Sequence, residues 1–143
     1  MQQEGTFHTP RHPQVTPSRS GDLFNPACPT RLLLDRVGSK WTTMAVLSLA
    51  SVQGELRFTE LKRQMAGISQ KMLAQTLKSL ERDGLVARRV ETTTPPRVHY
   101  RLTDLGTSLV PPLLALREWA EQNMRQVQDN ATAFDAVTPR EGL

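Results

Sequence analysis

The chain has a single cysteine among its 143 residues, so no disulfide can form within one copy. This scarcity is typical of a reducing compartment, although the thiol of Cys28 can still bond to another chain. No segment approaches the run of about 20 apolar residues that a membrane-spanning helix needs. The N-terminus also lacks the basic stretch and apolar run of a secretory signal. The sequence therefore predicts a soluble cytoplasmic protein that makes no membrane contact.

Catalytic and metal-binding patterns are missing as well. The sequence has no phosphate-cradling glycine-rich loop, no Gly-x-Ser-x-Gly and no His-Glu-x-x-His. His8 and His12 have the spacing of helical metal ligands, but Pro10 and Pro13 disfavour a helix there. We therefore expect no enzymatic activity, no cofactor and no metal site.

Positive charge is concentrated in one part of the chain. The formal net charge is +4, which favours an anionic partner. Between Arg57 and Arg101 there are ten Lys or Arg residues against four acids, whereas the remainder has eight against ten. Since the length suits about one domain with extensions, the basic stretch lies within that domain.

Residues 69–84 are predicted to form an amphipathic helix with a chemically uniform outer face. Ser69 is a good N-cap and Gly84 suits a helix end. Leu73, Leu77 and Leu80 fall on one stripe. The opposite side carries Lys71, Gln75, Lys78 and Arg82. Lys and Arg bind phosphates, and Gln or Arg can make two hydrogen bonds to one base edge, so this face suits DNA; an ordinary solvated face is the alternative.

The flanking segments favour DNA binding. Thr59–Met65 is predicted to form a short helix capped by Thr59. A glycine-containing turn joins this helix to the one that begins at Ser69, and the two helices with their turn form a helix-turn-helix. Leu85–Thr93 and Val98–Thr103 alternate as the strands of a basic hairpin, and the combination is a winged helix. The residues predicted to enter the major groove are Ser69, Gln70, Lys71, Gln75, Lys78 and Arg82; those predicted to contact the backbone from the wing and its base are Arg57, Arg88, Arg89 and Arg97.

The remaining segments complete one domain. Residues 1–27 are proline-rich and predict a disordered or loosely docked arm, and residues 28–128 form the domain. Within the domain, a short helix begins at Pro29 and a buried helix spans Lys40–Ser51. A long terminal helix begins after Thr103 and is expected to kink or split at Pro111 and Pro112. Residues 129–143 are predicted to be a flexible tail.

The terminal helix carries more apolar surface than one helix needs to cover a small domain. The excess predicts a homodimer contact, with docking on the domain's own core as the alternative. The residues assigned to the dimer contact are Leu109, Leu113, Leu116, Trp119, Ala120 and Met124.

Several motifs together resemble the HxlR-type transcriptional regulators over about residues 28–120. They are Cys28-Pro29, Val37-Gly-Ser-Lys-Trp-Thr42, Arg57-Phe-Thr-Glu-Leu61, Gly67-Ile-Ser-Gln-Lys-Met-Leu73, Leu80-Glu-Arg-Asp-Gly-Leu-Val86, Pro95-Pro96, Tyr100-Arg-Leu-Thr103 and Gly106. The resemblance implies a mainly α-helical, MarR-like winged helix with a small β-hairpin wing, which dimerises through its terminal helices. It also implies a sequence-specific regulator of double-stranded DNA; the alternative is a winged-helix module that binds another protein.

Some members of this family sense oxidants or electrophiles through a cysteine where Cys28 stands. A thiolate at a helix N-terminus is stabilised by exposed N–H groups, which raises its reactivity. The alternative is a structural cysteine that behaves as a small hydrophobic residue. The chain departs from the usual family pattern at Ser39, Glu91 and His99. We expect His99 to face solvent, with a pH-sensitive role as the alternative.

Overall fold

In a computed structural model of the chain, which describes residues 23–138, five helices and three strands follow one another. In chain order the elements are α1 (Pro29–Val37), α2 (Lys40–Ala50), β1 (Leu56–Arg57), α3 (Phe58–Gln64), α4 (Gln70–Arg82), β2 (Val86–Glu91), β3 (Arg97–Leu102) and α5 (Asp104–Val137). The described residues divide into two compact units between Arg36 and Val37. The predicted arm at residues 1–27 lies outside the described residues except for its last five, and His8 and His12 lie outside them too.

The second unit has one hydrophobic core, to which α2 and α4 contribute most. Ala45, Val46 and Leu49 of α2 are buried, because this helix is apolar around most of its circumference. Leu73, Leu77 and Leu80 of α4 form the inward stripe that the sequence predicts. The core also contains Leu56, Leu61, Met65, Ile68, Leu85, Val86, Tyr100 and Leu113. The mainly α-helical winged helix is therefore confirmed, with a small sheet added to a helical core.

The three strands form an antiparallel sheet in the order β1-β3-β2. Because side chains alternate along a strand, the register assigns each residue to a face. Leu56, Tyr100 and Val86 are buried on the face toward the core. Arg57, His99 and Arg89 are directly opposite one another on the other face. This sheet is the hairpin of the sequence prediction, extended by the two residues of β1.

The start of α3 differs from the prediction. Thr59 was assigned as the N-cap, but Phe58 is already helical and the cap is Arg57, whose backbone is extended. Pairing of Arg57 with His99 holds the cap extended, and the Arg57 N–H donates to Oε1 of Glu60 at 3.3 Å. The chain therefore turns from strand to helix without a linking residue, and the prediction for Thr59 is wrong.

The terminal helix is longer and more continuous than predicted. α5 passes through Pro111 and Pro112 without a break and ends at Val137 rather than near Gln128. The two prolines remove donors for the carbonyls of Thr107 and Ser108, but all four residues are exposed, so water can replace the missing bonds. Packing of Leu109, Val110 and Leu113 on the core holds the helix on both sides of this point. Residues 129–137 of the predicted tail are thus helical, and residues 139–143 lie outside the described part of the chain.

Candidate nucleic-acid interface

The helix α4 presents the outer face that the sequence predicts. Oγ of Ser69 accepts a hydrogen bond of 3.0 Å from the Met72 N–H, and Gly84 follows the helix with φ +74°. This capping satisfies one of the donors that a helix start leaves open. All six residues assigned to the major groove are exposed: Ser69, Gln70, Lys71, Gln75, Lys78 and Arg82. The face is therefore continuous, basic and accessible.

The turn before α4 fixes the angle between α3 and α4. Gly67 has φ +89°, a left-handed conformation that other L-residues rarely adopt. Leu61, Met65 and Ile68 are buried around the turn. Two short helices joined in this way form the helix-turn-helix, with α4 as the second helix.

A groove separates α4 from the sheet. Its volume is about 320 Å³, and it is lined by Ala74, Leu77, Lys78, Glu81, Arg88 and Tyr100. Lys78 and Arg88 supply cations from the two sides, whereas Glu81 places an acid between them. Glu81 is exposed at this groove.

The loop between β2 and β3 brings two predicted backbone contacts together. Arg57 and Arg97 line one open groove of about 370 Å³ beside Pro95 and Pro96. Arg57 also lies 3.4 Å from a carboxylate oxygen of Glu60, with 38% of its side chain exposed. Arg97 is exposed and makes no ion pair with any residue of the segment 23–138. The groove thus offers two guanidinium groups to an anion.

The face of the sheet that points away from the core is charged, and we call it the charged sheet face. It comprises Arg57 and the preceding Glu55, Arg97, His99 and Arg101 of β3, and Arg89 and Glu91 of β2. Arg89 donates from Nη2 to Oε2 of Glu55 at 2.7 Å and from Nε to Oε1 at 3.0 Å. These bonds lower the pKa of Glu55 below 4.5 and raise that of Arg89. The predicted backbone contact Arg89 is therefore already bound to a carboxylate within the chain.

His99 occupies the centre of the charged sheet face. Its Nε2 lies 3.0 Å from Oε2 of Glu91, and because a carboxylate only accepts, the imidazole donates this bond. Its Nδ1 lies 3.7 Å from Oε2 of Glu55. The bond from His99 lowers the pKa of Glu91. Only 15% of the His99 side chain is exposed, so the expectation that it faces solvent is wrong.

A junction between α4 and α5 was not predicted as a functional feature. The Thr103 N–H donates to the Leu85 carbonyl at 3.1 Å, and Oγ1 of Thr103 donates to the Gly84 carbonyl at 2.6 Å. Oγ1 also accepts from the Gly106 N–H at 3.1 Å, which caps α5. A Cβ at Gly106 would overlap the Leu85 carbonyl oxygen. The Thr103-x-x-Gly106 spacing is the signal in the sequence, since it places a cap and a close backbone approach on the same turn.

The residues assigned to the dimer contact fall into two groups. Leu113 is buried in the core and Leu109 packs against it, so the Leu113 side chain is not available to a partner. Ala120 is half-buried. In contrast, Leu116 is 57% exposed, Trp119 55% and Met124 41%. The helix continues this apolar exposure with Val127, Phe134 and Val137.

Cys28 immediately precedes the first residue of α1, as predicted. Its N–H donates to the Asn25 carbonyl at 2.9 Å, and its carbonyl accepts from the Arg31 N–H at 3.1 Å. The residue is buried, with 6% of its surface exposed. Among residues 23–138 no group of His, Cys, Asp or Glu side chains is placed to hold a metal ion, and no helix there is long and apolar enough to cross a membrane.

Comparisons with known proteins agree with this geometry. A family model described as HxlR-like helix-turn-helix matches residues 36–128. YtfH of Escherichia coli (strain K12), described as an HTH-type transcriptional regulator, is 39% identical over 109 residues, which cover 76% of this chain and 85% of YtfH. The structure of YtfH from Salmonella typhimurium is similar with a TM-score of 0.72 at 40% identity, covering 79% of this chain and 99% of that one. The redox regulator HypR in its reduced form has a TM-score of 0.64 at 37% identity, covering 71% and 98% of the two chains.

Proposed function

We propose that this chain, which belongs to the HxlR-like helix-turn-helix family of transcriptional regulators, acts as a homodimer on a pseudo-palindromic operator. The observation that carries the proposal is the outer face of α4, where Lys71, Gln75, Lys78 and Arg82 are all exposed. In a helix-turn-helix the second helix enters the major groove, so this face would meet base edges and phosphates together.

Two roles follow for side chains of α4. Gln75 lies at the middle of the face, where its amide can donate to and accept from one adenine edge. Lys78 and Arg82 lie nearer the helix end, where cations neutralise phosphates. Beside the helix, Arg57 and Arg97 share the groove at the wing and would contact the flanking backbone.

The dimer contact is proposed to lie on α5, at the exposed residues Leu116, Trp119 and Met124. Apolar surface of this extent on a regular helix favours a second copy of the same helix as its partner. The two copies of α4 would then read half-sites whose centres are about 34 to 36 Å apart, one turn of duplex.

The DNA hypothesis is tested by fluorescence anisotropy with a duplex from the region upstream of the protein's own gene and with a scrambled duplex. Gln75→Ala should cost about 1 to 3 kcal/mol on the specific duplex and relax the preference at one base pair. Lys78→Ala should weaken both duplexes alike and reduce the salt slope by about 1 for each of the two subunits. Gln122→Ala, an exposed amide on α5, is the matched control. Equal losses on both duplexes for Gln75→Ala and Lys78→Ala would contradict these roles.

A protein-binding module is the competing function. It predicts no binding to either duplex even at low salt, where phosphate contacts are strongest. Tighter binding of the wild-type protein to the upstream duplex than to the scrambled duplex at about 50 mM salt excludes this alternative, because attraction to phosphates alone does not distinguish the two.

We also propose that chemical modification of the Cys28 thiol regulates DNA binding. Its position at the start of α1 supports it, since helix N–H groups stabilise a thiolate. HypR, which is similar to this chain, is described as a redox regulator. Because Cys28 is only 6% exposed, the reagents should be small electrophiles or oxidants. A quinone, an aldehyde or a mild oxidant should change the DNA affinity of the wild type and the intact mass by one adduct, but should leave Cys28→Ser unchanged. If the reagent changes the DNA affinity of Cys28→Ser as much as that of the wild type, another residue is responsible for the response.

A further inference from the structure

The charged sheet face contains more arginine than a wing needs to contact one phosphate. Arg57, Arg89, Arg97 and Arg101 all lie on it, with only Glu55 and Glu91 as acids. Every one of these arginines could serve as a phosphate contact on charge alone. What distinguishes them is their partners.

Arg89 has the most complete partner. Glu55 faces it side-on, with Nη2–Oε2 at 2.7 Å, Nε–Oε1 at 3.0 Å and Nε–Oε2 at 3.2 Å. His99 flanks the same carboxylate at 3.7 Å. Bidentate pairs of this kind fix the guanidinium plane, and the neutralised charge no longer attracts an anion.

Arg97 is in the opposite situation. Its cross-strand neighbour is Glu91, but Oε2 of Glu91 is bonded to Nε2 of His99. Within residues 23–138, neither Arg97 nor Arg101 has a carboxylate within ion-pair distance. The two acids of the face therefore have their bonded partners in Arg89 and His99, and neither is bonded to Arg97 or Arg101.

We propose that Glu55 is a positioning residue that withholds Arg89 from DNA phosphates, so that Arg89 is a latent phosphate-binding arginine. This inference rests on the proposed function, because the phosphates it concerns are those of duplex DNA. Glu55 thereby limits the sequence-independent part of the affinity, which the cations of the wing would otherwise raise. Removal of the Glu55 carboxylate releases the Arg89 guanidinium, which then makes an additional contact with a DNA phosphate.

The test is a mutant cycle of wild type, Glu55→Gln, Arg89→Gln and the double mutant on a random-sequence duplex. One further phosphate contact in each subunit of the proposed dimer steepens the slope of log K against log salt by about 1.8, which is about a 12-fold larger loss of affinity between 50 and 200 mM salt. Glu55→Gln should show this increase. Arg89→Gln should keep the wild-type slope, and the double mutant should match Arg89→Gln. The control is Glu121→Gln, which makes the same change of charge at the exposed pair with Arg117 on α5.

Two outcomes would overturn the inference. If Arg89→Gln alone lowers the slope by about 1.8, Arg89 already contacts a phosphate in each subunit of the wild type. If Glu55→Gln leaves the slope unchanged, or raises it no more than Glu121→Gln does, Glu55 does not withhold Arg89. Glu55→Ala, which removes the remaining hydrogen bond as well, serves as a second variant, and circular dichroism checks that each protein is folded.

Elution from heparin separates this inference from the proposed function. If the wild type binds no duplex at low salt, the proposed function fails, but heparin still presents a dense polyanion to the charged sheet face. Later elution of Glu55→Gln than of wild type, abolished in the double mutant, would support the withheld arginine independently. Identical elution of all four proteins would overturn it.

Discussion

Replacing Gly106 by alanine should destabilise the protein, although the ordinary effect of this change in a helix is the reverse. Alanine is favoured over glycine inside a helix by about 1 kcal/mol. At Gly106, however, the new Cβ would overlap the Leu85 carbonyl oxygen and would lie 3.2 Å from Cδ2 of Leu102. The first turn of α5 must therefore move away from the segment that follows α4.

The size of the loss follows from what this movement breaks. Relieving a steric overlap in a packed region costs about 1 to 3 kcal/mol. The bonds from Thr103 to the carbonyls of Leu85 and Gly84, at 3.1 and 2.6 Å, stretch in the same movement. Each contributes about 1 kcal/mol. After the gain in helix propensity is subtracted, the free energy of unfolding should fall by about 2 to 4 kcal/mol.

Urea and thermal unfolding measure this change. The melting temperature should fall by roughly 6 to 15 °C for a chain of this size. Ser108→Ala is the control, because Ser108 is exposed on the same helix and its hydroxyl donates to the Leu105 carbonyl. It should change the stability by less than about 0.5 kcal/mol. A Gly106→Ala protein that is as stable as the wild type, or more stable, would refute the steric reasoning.

Three other changes probe the cap, the charged sheet face and α5. Ser69→Ala should lower the free energy of unfolding by about 1 kcal/mol, because the Met72 N–H loses its acceptor; restoration by Ser69→Asp in urea unfolding confirms a cap. The stability difference between wild type and Glu55→Gln should be fully present above pH 4.5 and decline as the pH falls through the folded pKa of Glu55, which the bond from Arg89 lowers; a difference that does not decline on acidification contradicts this. Trp119→Asp should convert the proposed dimer to monomer in sedimentation velocity, whereas Glu118→Gln, an exposed neighbour, should not; an unchanged sedimentation coefficient for Trp119→Asp removes Trp119 from the contact.

The sequence was most informative where a local signal decided the structure. The helix α4 was predicted closely because Ser69, the leucine stripe and Gly84 each act within a few residues. The strands were predicted because alternation reports which face is buried. These signals do not depend on which other segment packs nearby.

The predictions were wrong where residues that are far apart in the sequence determine the local structure. Thr59 is an adequate cap, but pairing of Arg57 with β3 fixed the earlier start of α3. Whether His99 meets solvent or two carboxylates depends on strand register, which a single strand does not specify. The same is true of Arg89, whose acid lies 34 positions away in the chain. The position of the positive charge could be predicted from the sequence, but the carboxylate that each cation contacts could not.

The hydrogen bonds of Thr103 couple the orientation of α5 to the end of α4. A helix rises 1.5 Å per residue, so Trp119 lies about 24 Å along the axis from Thr103. A displacement of about 2 Å near Trp119 would tilt a rigid helix by roughly 5° about its first turn and would also shift Leu109, Val110 and Leu113 against the core. Because that turn is bonded to the carbonyls of Gly84 and Leu85, the tilt acts directly on the end of α4. In the proposed dimer, a small movement of one subunit against the other would thus become a rotation of the helix proposed to read DNA.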